Sequence, residues 1–426
     1  MTLSGEAMGT VHVVGAGLAG LAAAVRAAQA GRRVVVYESA PQAGGRCRSL
    51  FDDVLGRTID NGNHLILSGN TAVAAYLAAI GAGDVLVGPE RADYPFLDLQ
   101  TGERWTLRPG VGRIPWWVLC PRRRIPGTAL VDYIAGLKLA WVRPTATIAD
   151  CFDRKSILFR RFWEPMAVAV LNAQPEEAAA ALLWPVLWET FGRGEVACRP
   201  RLARQGLGPA LVEPALAFLK RCGAQVSFNA RLRSLMFEGD RVAALDLGRE
   251  AVALAAADSL VLAVPPGPAA ALVPDLIVPR ESRAILNGHF LLEGGGRPPA
   301  MLGVVGGLTH WIFVRDDIAS VTVSAADAVI DEPAEVLAGR LWGEVRRALE
   351  LGERPLPAYR ILKEKRATFA QTPVDVARRP GTRTTWKNLF LAGDWTDTGL
   401  PATIEGALRS GGKAAEAAIG PYITKS

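Results

Sequence analysis

One short segment limits what this chain can fold into more than any other. Val11-His12-Val13-Val14, a buried-strand pattern, runs into Gly15-Ala16-Gly17-Leu18-Ala19-Gly20 and then an alanine-rich helical stretch to Gln29. Strand, glycine turn and helix in that order open a Rossmann-like α/β domain. Gly15 permits the turn, Gly17 lets backbone approach a pyrophosphate, and Gly20 lets the helix pack closely on the strand. The helix N-terminus at Leu18 and Ala19 then faces the phosphate charge. A second strand, Arg33 to Tyr37, ends in Glu38. A carboxylate about twenty residues beyond such glycines accepts ribose hydroxyls. The motif alone leaves NAD and FAD both open.

With 426 residues the chain exceeds the size at which one core stops growing, so two interleaved domains are expected. Half the residues are hydrophobic and 21% charged, with 44 glycines, the composition of a soluble globular protein with many close backbone approaches. Even the most apolar stretch, Ala251 to Pro274, holds Asp258, Pro265 and Pro266, so no spanning helix is expected. Met1 to Thr10 has no positive region before an apolar run, which predicts a cytoplasmic chain; with Met8 just before the first strand, the first seven residues read as an alternative start or a loose tail. Cys47, Cys120, Cys151, Cys198 and Cys222 form no CxxC pair, which argues for reduced thiols and against a disulfide framework, zinc or an iron–sulfur cluster. The net charge of +6 suits an acidic partner such as a lipid surface, while no nucleic-acid motif is present.

Past Glu38 comes Gly44-Gly45-Arg46, in which two glycines and a guanidinium can cover a diphosphate from its other side. Here the sequence resembles the superfamily of amine oxidases, carotenoid desaturases and protoporphyrinogen oxidases, flavoproteins in which a GGR segment follows the first nucleotide-binding unit. The resemblance implies FAD. At the other end, Asn388 to Ala392 reads as a strand leading into Gly393-Asp394, and Thr398 to Ala407 opens a final helix. The resemblance implies that Asp394 binds the ribityl or diphosphate part. It also implies that amides near Thr403, Ile404 and Glu405 meet the flavin, where a helix N-terminus stabilises negative charge on the reduced ring. Val226 to Ala230, Arg241 to Leu247 and Ser259 to Val264 look like strands of a returning hairpin unit. In the superfamily this unit completes the FAD domain, and Leu232 would be a backbone contact to adenine.

Asp60-Asn61-Gly62-Asn63-His64, Lys363 to Phe369, Trp386-Lys387-Asn388 and Ala392 to Pro401 together resemble one branch, the squalene-associated FAD-dependent desaturases. These are the hydroxysqualene dehydroxylases of hopanoid biosynthesis. The resemblance covers nearly the whole chain and implies reductive removal of a hydroxyl from a hydrophobic isoprenoid, with reduced FAD as hydride donor and an unidentified electron donor behind it. An allylic alcohol ionises once its oxygen is protonated, and the cation accepts hydride in a dry cavity. His64 follows a glycine-containing segment, Gly62-Asn63, expected close to the flavin ring. It is a candidate proton donor, or a residue that only shapes the flavin face. Asp60 is either catalytic or orients this loop. His12, His289 and His310 read as packing residues.

The resulting division is residues 1–88, 205–266 and 356–426 for the FAD domain, and 89–204 and 267–355 for an interleaved α+β substrate domain. Helical patterns fall at Leu130 to Trp141, Ser156 to Leu171 and Ala334 to Glu350, with strands at Ala284 to Leu292, Trp311 to Arg315 and Ser320 to Ser324. Trp116-Trp117 beside Arg122-Arg123-Arg124 suits lipid tails and anionic headgroups, peripherally on the inner face of the cytoplasmic membrane, or equally a core tryptophan pair and a solvated turn. Three competing functions stand: an oxidative desaturase, an amine oxidase using Lys363 or Lys365 at the flavin, and a non-catalytic flavin or lipid carrier. Oligomeric state is left open.

Overall fold

The computed structural model describes residues 9–292 and 300–420; the opening segment read as a loose tail or alternative start lies outside them. Five parallel strands form one sheet in the order Gln225–Ser227, β2 (Val34–Tyr37), β1 (Val11–Val14), Ser259–Leu262, Leu389–Leu391. The β-branched runs of β1 and β2 are buried throughout, as a parallel sheet covered on both faces requires. On one face Val11, Val13, Val34 and Val36 meet α1 (Leu18–Gln29) and the C-terminal helix Ile404–Ile419. These two helices touch backbone to backbone: a Cβ on Gly411 would lie 2.1 Å from the Ala19 carbonyl oxygen.

The other face, through Val14, Val35, Tyr37, Leu260 and Leu262, packs on Leu235, Val242 and Leu245 of a three-stranded antiparallel sheet (Ser234–Glu238, Arg241–Asp246, Ala251–Ala253) and on Ala269 of the helix Pro266–Leu272. The expected returning hairpin unit is therefore divided. Gln225–Ser227 and Ser259–Leu262 are parallel strands of the main sheet, and only Arg241–Asp246 lies in a hairpin. Burial separates them: Ser259–Leu262 is buried at every position, whereas Arg241–Asp246 is covered on one side only.

A second, seven-stranded sheet has the order Tyr359–Phe369, Ser282–Leu291, Ile318–Val323, Trp311–Arg315, Met301–Val305, Tyr94–Asp98, Arg104–Leu107. One face buries Leu286, Phe290 and Val321 against Leu337 and Leu341 of the helix Ala334–Ala348. The opposite face carries Phe96, Trp105, Trp311 and Phe313 against a helical block that includes Phe159, Phe162 and Trp163. Two expected boundaries move. Tyr359–Phe369 pairs with Ser282–Leu291, so the chain stays in this sheet beyond residue 355. Pro266–Leu272 and Val278 pack with the flavin-side core, so the second insertion begins later than 267.

The expected helix from Leu130 to Trp141 forms a short α-helix, Leu130–Ile134, continued by a 3₁₀ segment, Ala135–Trp141. Gly136 lies in this run, and a Cβ there would be 2.7 Å from the Trp163 ring. Ser156 to Leu171 is a π-type turn, Phe159–Trp163, leading into Glu164–Leu171. Among the described residues no helix is long and apolar enough to cross a membrane.

Candidate active site

The glycine turn has two kinds of glycine. A Cβ on Gly20 would lie 1.9 Å from the Gly15 carbonyl oxygen, and one on Gly15, whose φ is +101°, 2.4 Å from that of Ala263. These two are required by packing. Gly17 is different, since a Cβ there would meet nothing within 4 Å. It is also the N-cap of α1, with no side-chain cap and no acidic residue in the first turn. Open space in front of uncapped helix N–H groups is a cradle that a pyrophosphate fits. Gly44 lies alongside, its N–H donating to the Ala16 carbonyl at 2.8 Å, and Gly45 sits at φ +56° with its Cβ position 3.4 Å from the Gly17 Cα. Thus Gly15, Gly17, Leu18, Ala19, Gly20, Gly44 and Gly45 form one wall.

Glu38 ends β2 as expected, buried, accepting the Ala16 N–H at 2.6 Å and the Ala40 N–H at 2.8 Å. The Ala230 N–H donates to the Glu38 carbonyl at 2.8 Å, which brings the segment leading to Leu232 to the same end of the sheet. The Leu232 side chain packs in the core with Val35 and Tyr37.

Arg46 links the two ends of the nucleotide-binding half. Its guanidinium donates to Asp394 at 2.8 Å and to the Ala367 carbonyl at 2.5 Å, so its charge is balanced within the protein. Asp394 in turn raises the Arg46 pKa. Gly393 precedes Asp394 with its N–H donated to the Ser410 hydroxyl at 3.0 Å. Thr403 caps the C-terminal helix by accepting the Gly406 N–H at 3.1 Å. That helix presents the Ile404 and Glu405 amides at its N-terminus, but the Glu405 side chain is committed elsewhere. Its carboxylate accepts the Ala72 and Val73 N–H groups at 2.9 and 3.0 Å and pairs with Arg409 at 3.1 Å.

The contacts of Asp60 suit the loop-orienting reading of this residue. It is buried and accepts the Ser49 hydroxyl at 2.5 Å and the Leu207 N–H at 2.9 Å, while its second oxygen pairs with Arg315 at 2.8 Å. The loop beyond it is tied to the seven-stranded sheet. Asn63 donates to the Thr322 hydroxyl at 3.1 Å, Thr322 donates to Asn287 at 2.9 Å, and Asn287 donates to the Asn61 carbonyl at 3.3 Å. A Cβ on Gly62 would come within 3.4 Å of Asn287 and 4.0 Å of the His64 Nε2.

Burial pulls the His64 pKa down to about 4, with Asp60 raising and Arg46 lowering it by smaller amounts. An imidazole with that pKa is uncharged at neutral pH, which fits a neutral ring better than a proton donor. His289, buried, and His310, partly buried, are likewise brought near 4, and His12 is lowered by burial.

Sequence reasoning missed Asn287, Thr322, Glu364 and Arg379. Glu364 accepts from Asn61 at 3.4 Å and is near enough to Arg46 to raise its pKa. Arg379 is buried, donating to the Asp394 carbonyl at 3.2 Å with its guanidinium 5.3 Å from the centre of the Phe369 ring. The legible signal for the first two was polar residues at alternate positions of strands whose other positions, Leu286, Phe290, Val321 and Val323, are core. Lys363 donates to the Glu332 carbonyl and Lys365 pairs with Asp331 at 2.5 Å, on the face of the strand that also carries Tyr359 and Ile361 toward the Ala334–Ala348 helix. All five cysteines are free thiols, and burial pushes that of Cys47 up to about 12, consistent with a packing role.

The family of flavin-containing amine oxidoreductases matches residues 18–292 and 316–419. Hydroxysqualene dehydroxylase from Rhodopseudomonas palustris is 49% identical over 96% of this chain and 97% of its own. The chain belongs to the hydroxysqualene dehydroxylase family. A second such dehydroxylase, from Sinorhizobium fredii, is 46% identical over 96% of this chain and 98% of its own. The fold is shared with an oxidoreductase from Methanosarcina mazei, 13% identical at a TM-score of 0.73, covering 94% of this chain and 98% of that one. As a member of this flavoprotein family, the protein is an FAD-dependent oxidoreductase. The cradle at Gly17, Glu38 at the end of β2 and the helix N-terminus at Ile404 are where the residues fit that cofactor.

Proposed function

We propose that this protein converts hydroxysqualene to squalene. The carrying observation is the near-full-length identity to hydroxysqualene dehydroxylases. The C–O bond breaks, the oxygen leaves as water with one added proton, and a C–H bond forms in its place. Bound reduced FAD supplies the hydride.

The chain's own residues support this reading. Trp311, Phe313 and Leu65 belong to one apolar cluster that reaches the loop carrying His64, a setting for a long isoprenoid and for excluding water. Neutral His64 adds no competing charge to a cationic substrate. Asp60 and Asp394 are each paired with an arginine, whereas Glu364, turned toward Asn61, forms no ion pair among the described residues. Glu364 is the side chain we assign to the leaving oxygen. The amine oxidase alternative loses its lysines, because Lys363 and Lys365 are engaged with Glu332 and Asp331.

The test is an anaerobic single turnover of protein carrying chemically reduced FAD with hydroxysqualene, following flavin absorbance and squalene together. One squalene per flavin oxidised is expected. Flavin that stays reduced in folded holoprotein would reject the proposal and return the oxidative desaturase. Replacing Glu364 by Gln should slow this turnover at least tenfold at unchanged flavin content.

A further inference from the structure

Eight of the nineteen large apolar side chains exposed among the described residues fall between 111 and 141: Val111, Ile114, Trp116, Leu119, Val131, Ile134, Leu137 and Trp141. Monomeric proteins rarely gather so many in one place without a partner for them. The two tryptophans of the Trp116-Trp117 pair divide. Trp117 is buried against Tyr133, whereas Trp116 is 64% exposed. Along the helical run 130–141, Val131, Ile134, Leu137 and Trp141 recur at three- and four-residue spacing on the outer side, while Gly136 and Leu139 face inward. Trp141 is 83% exposed.

Charge accompanies this surface. Arg113, Arg122, Arg123, Lys138 and Arg143 are exposed across the same stretch. Its one acid, Asp132, is folded back onto the Ala129 N–H at 2.8 Å. We infer that this face docks on an anionic lipid bilayer, its aliphatic and indole groups entering the acyl boundary and its cations meeting the headgroups. Charge complementarity selects a lipid surface over a second copy of the chain, because two such faces brought together would oppose cation to cation.

The position suits the reaction, a point that rests on the functional reading above. Trp117 and Leu139, directly beneath this face, belong to the same apolar cluster as Leu65, Trp311 and Phe313 beside the flavin side. An isoprenoid alcohol dissolved in the bilayer would then reach the site without crossing water.

The experiment is flotation of the flavin-loaded protein with vesicles of phosphatidylcholine alone or with one quarter phosphatidylglycerol, in the absence of hydroxysqualene, so that binding and turnover succeed or fail separately. Wild type should bind the anionic vesicles, more weakly as salt rises. V131S/I134S/L137S/W141S and R113Q/R122Q/K138Q should each lose at least tenfold in partitioning while keeping flavin content and thermal midpoint. Partitioning unchanged in both variants would overturn the inference. So would a serine variant that still floats but changes from dimer to monomer in sedimentation, since the face would then join two copies of this chain.

Discussion

Gly17 and Gly20 lie three residues apart and should fail in opposite ways. Gly20→Ala forces a methyl against the Gly15 carbonyl and should lower the stability of the apoprotein by about 2–4 kcal/mol, seen in urea unfolding. Gly17→Ala places its methyl in open space. It should leave apoprotein unfolding unchanged and weaken FAD binding at least tenfold, measured by flavin fluorescence. Glu38→Ala should cost FAD affinity by tenfold to a hundredfold, about 1–3 kcal/mol. The buried histidines govern acid stability. His64, His289 and His310 are near 4 when folded against 6.5 ordinarily. Unfolding takes up a proton at each between those values. Stability present above pH 6.5 should therefore fall as pH drops toward 4 and level off below it, with a slope of about 1.4 kcal/mol per pH unit per histidine. His289→Asn should remove one histidine's share of that slope, about 1.4 kcal/mol per pH unit, in urea titrations across the range. The glycines and Glu38 were legible from sequence because their tasks are local. The partner of Asp60 was not, since Arg315 lies far along the chain on another sheet.

At the scale of elements, the packing of α1 on the C-terminal helix depends on small residues. Gly411→Ala should separate the two helices and destabilise the protein by about 1–3 kcal/mol in urea unfolding, releasing flavin because both helix N-termini face the cofactor. Individual strands such as Trp311–Arg315 could be read from the sequence to the residue, since periodicity and composition are local properties. Partnership could not. Ser259–Leu262 sits between β1 and Leu389–Leu391, a choice made by burial on both faces rather than by its neighbours in sequence. The helix expected through Gly136 passes instead into a 3₁₀ segment where Gly136 lies close against the Trp163 ring, a contact that periodicity does not encode.

At the scale of the molecule, the flavin loop is held to both halves by Asp60, which joins the segment at Leu207 to Arg315 of the seven-stranded sheet. Asp60→Asn leaves Arg315 without its counter-charge and should cost about 2–4 kcal/mol, read as a lower urea midpoint with earlier flavin release. The alternation of the chain between halves was legible in outline, while its crossing points were displaced because Tyr359–Phe369 is held by pairing with Ser282–Leu291 rather than by any local signal. The parallel sheet has its first strand at Val11–Val14 and its last at Leu389–Leu391. At about 5–20 residues per second, a ribosome takes tens of seconds to pass from one to the other. Completion of the sheet thus waits on its last strand, and until that strand emerges the apolar edge at Ser259–Leu262 stands without its neighbour. Supply of FAD once that strand is in place, and whatever shields the edge beforehand, should set the yield of active enzyme in a cell.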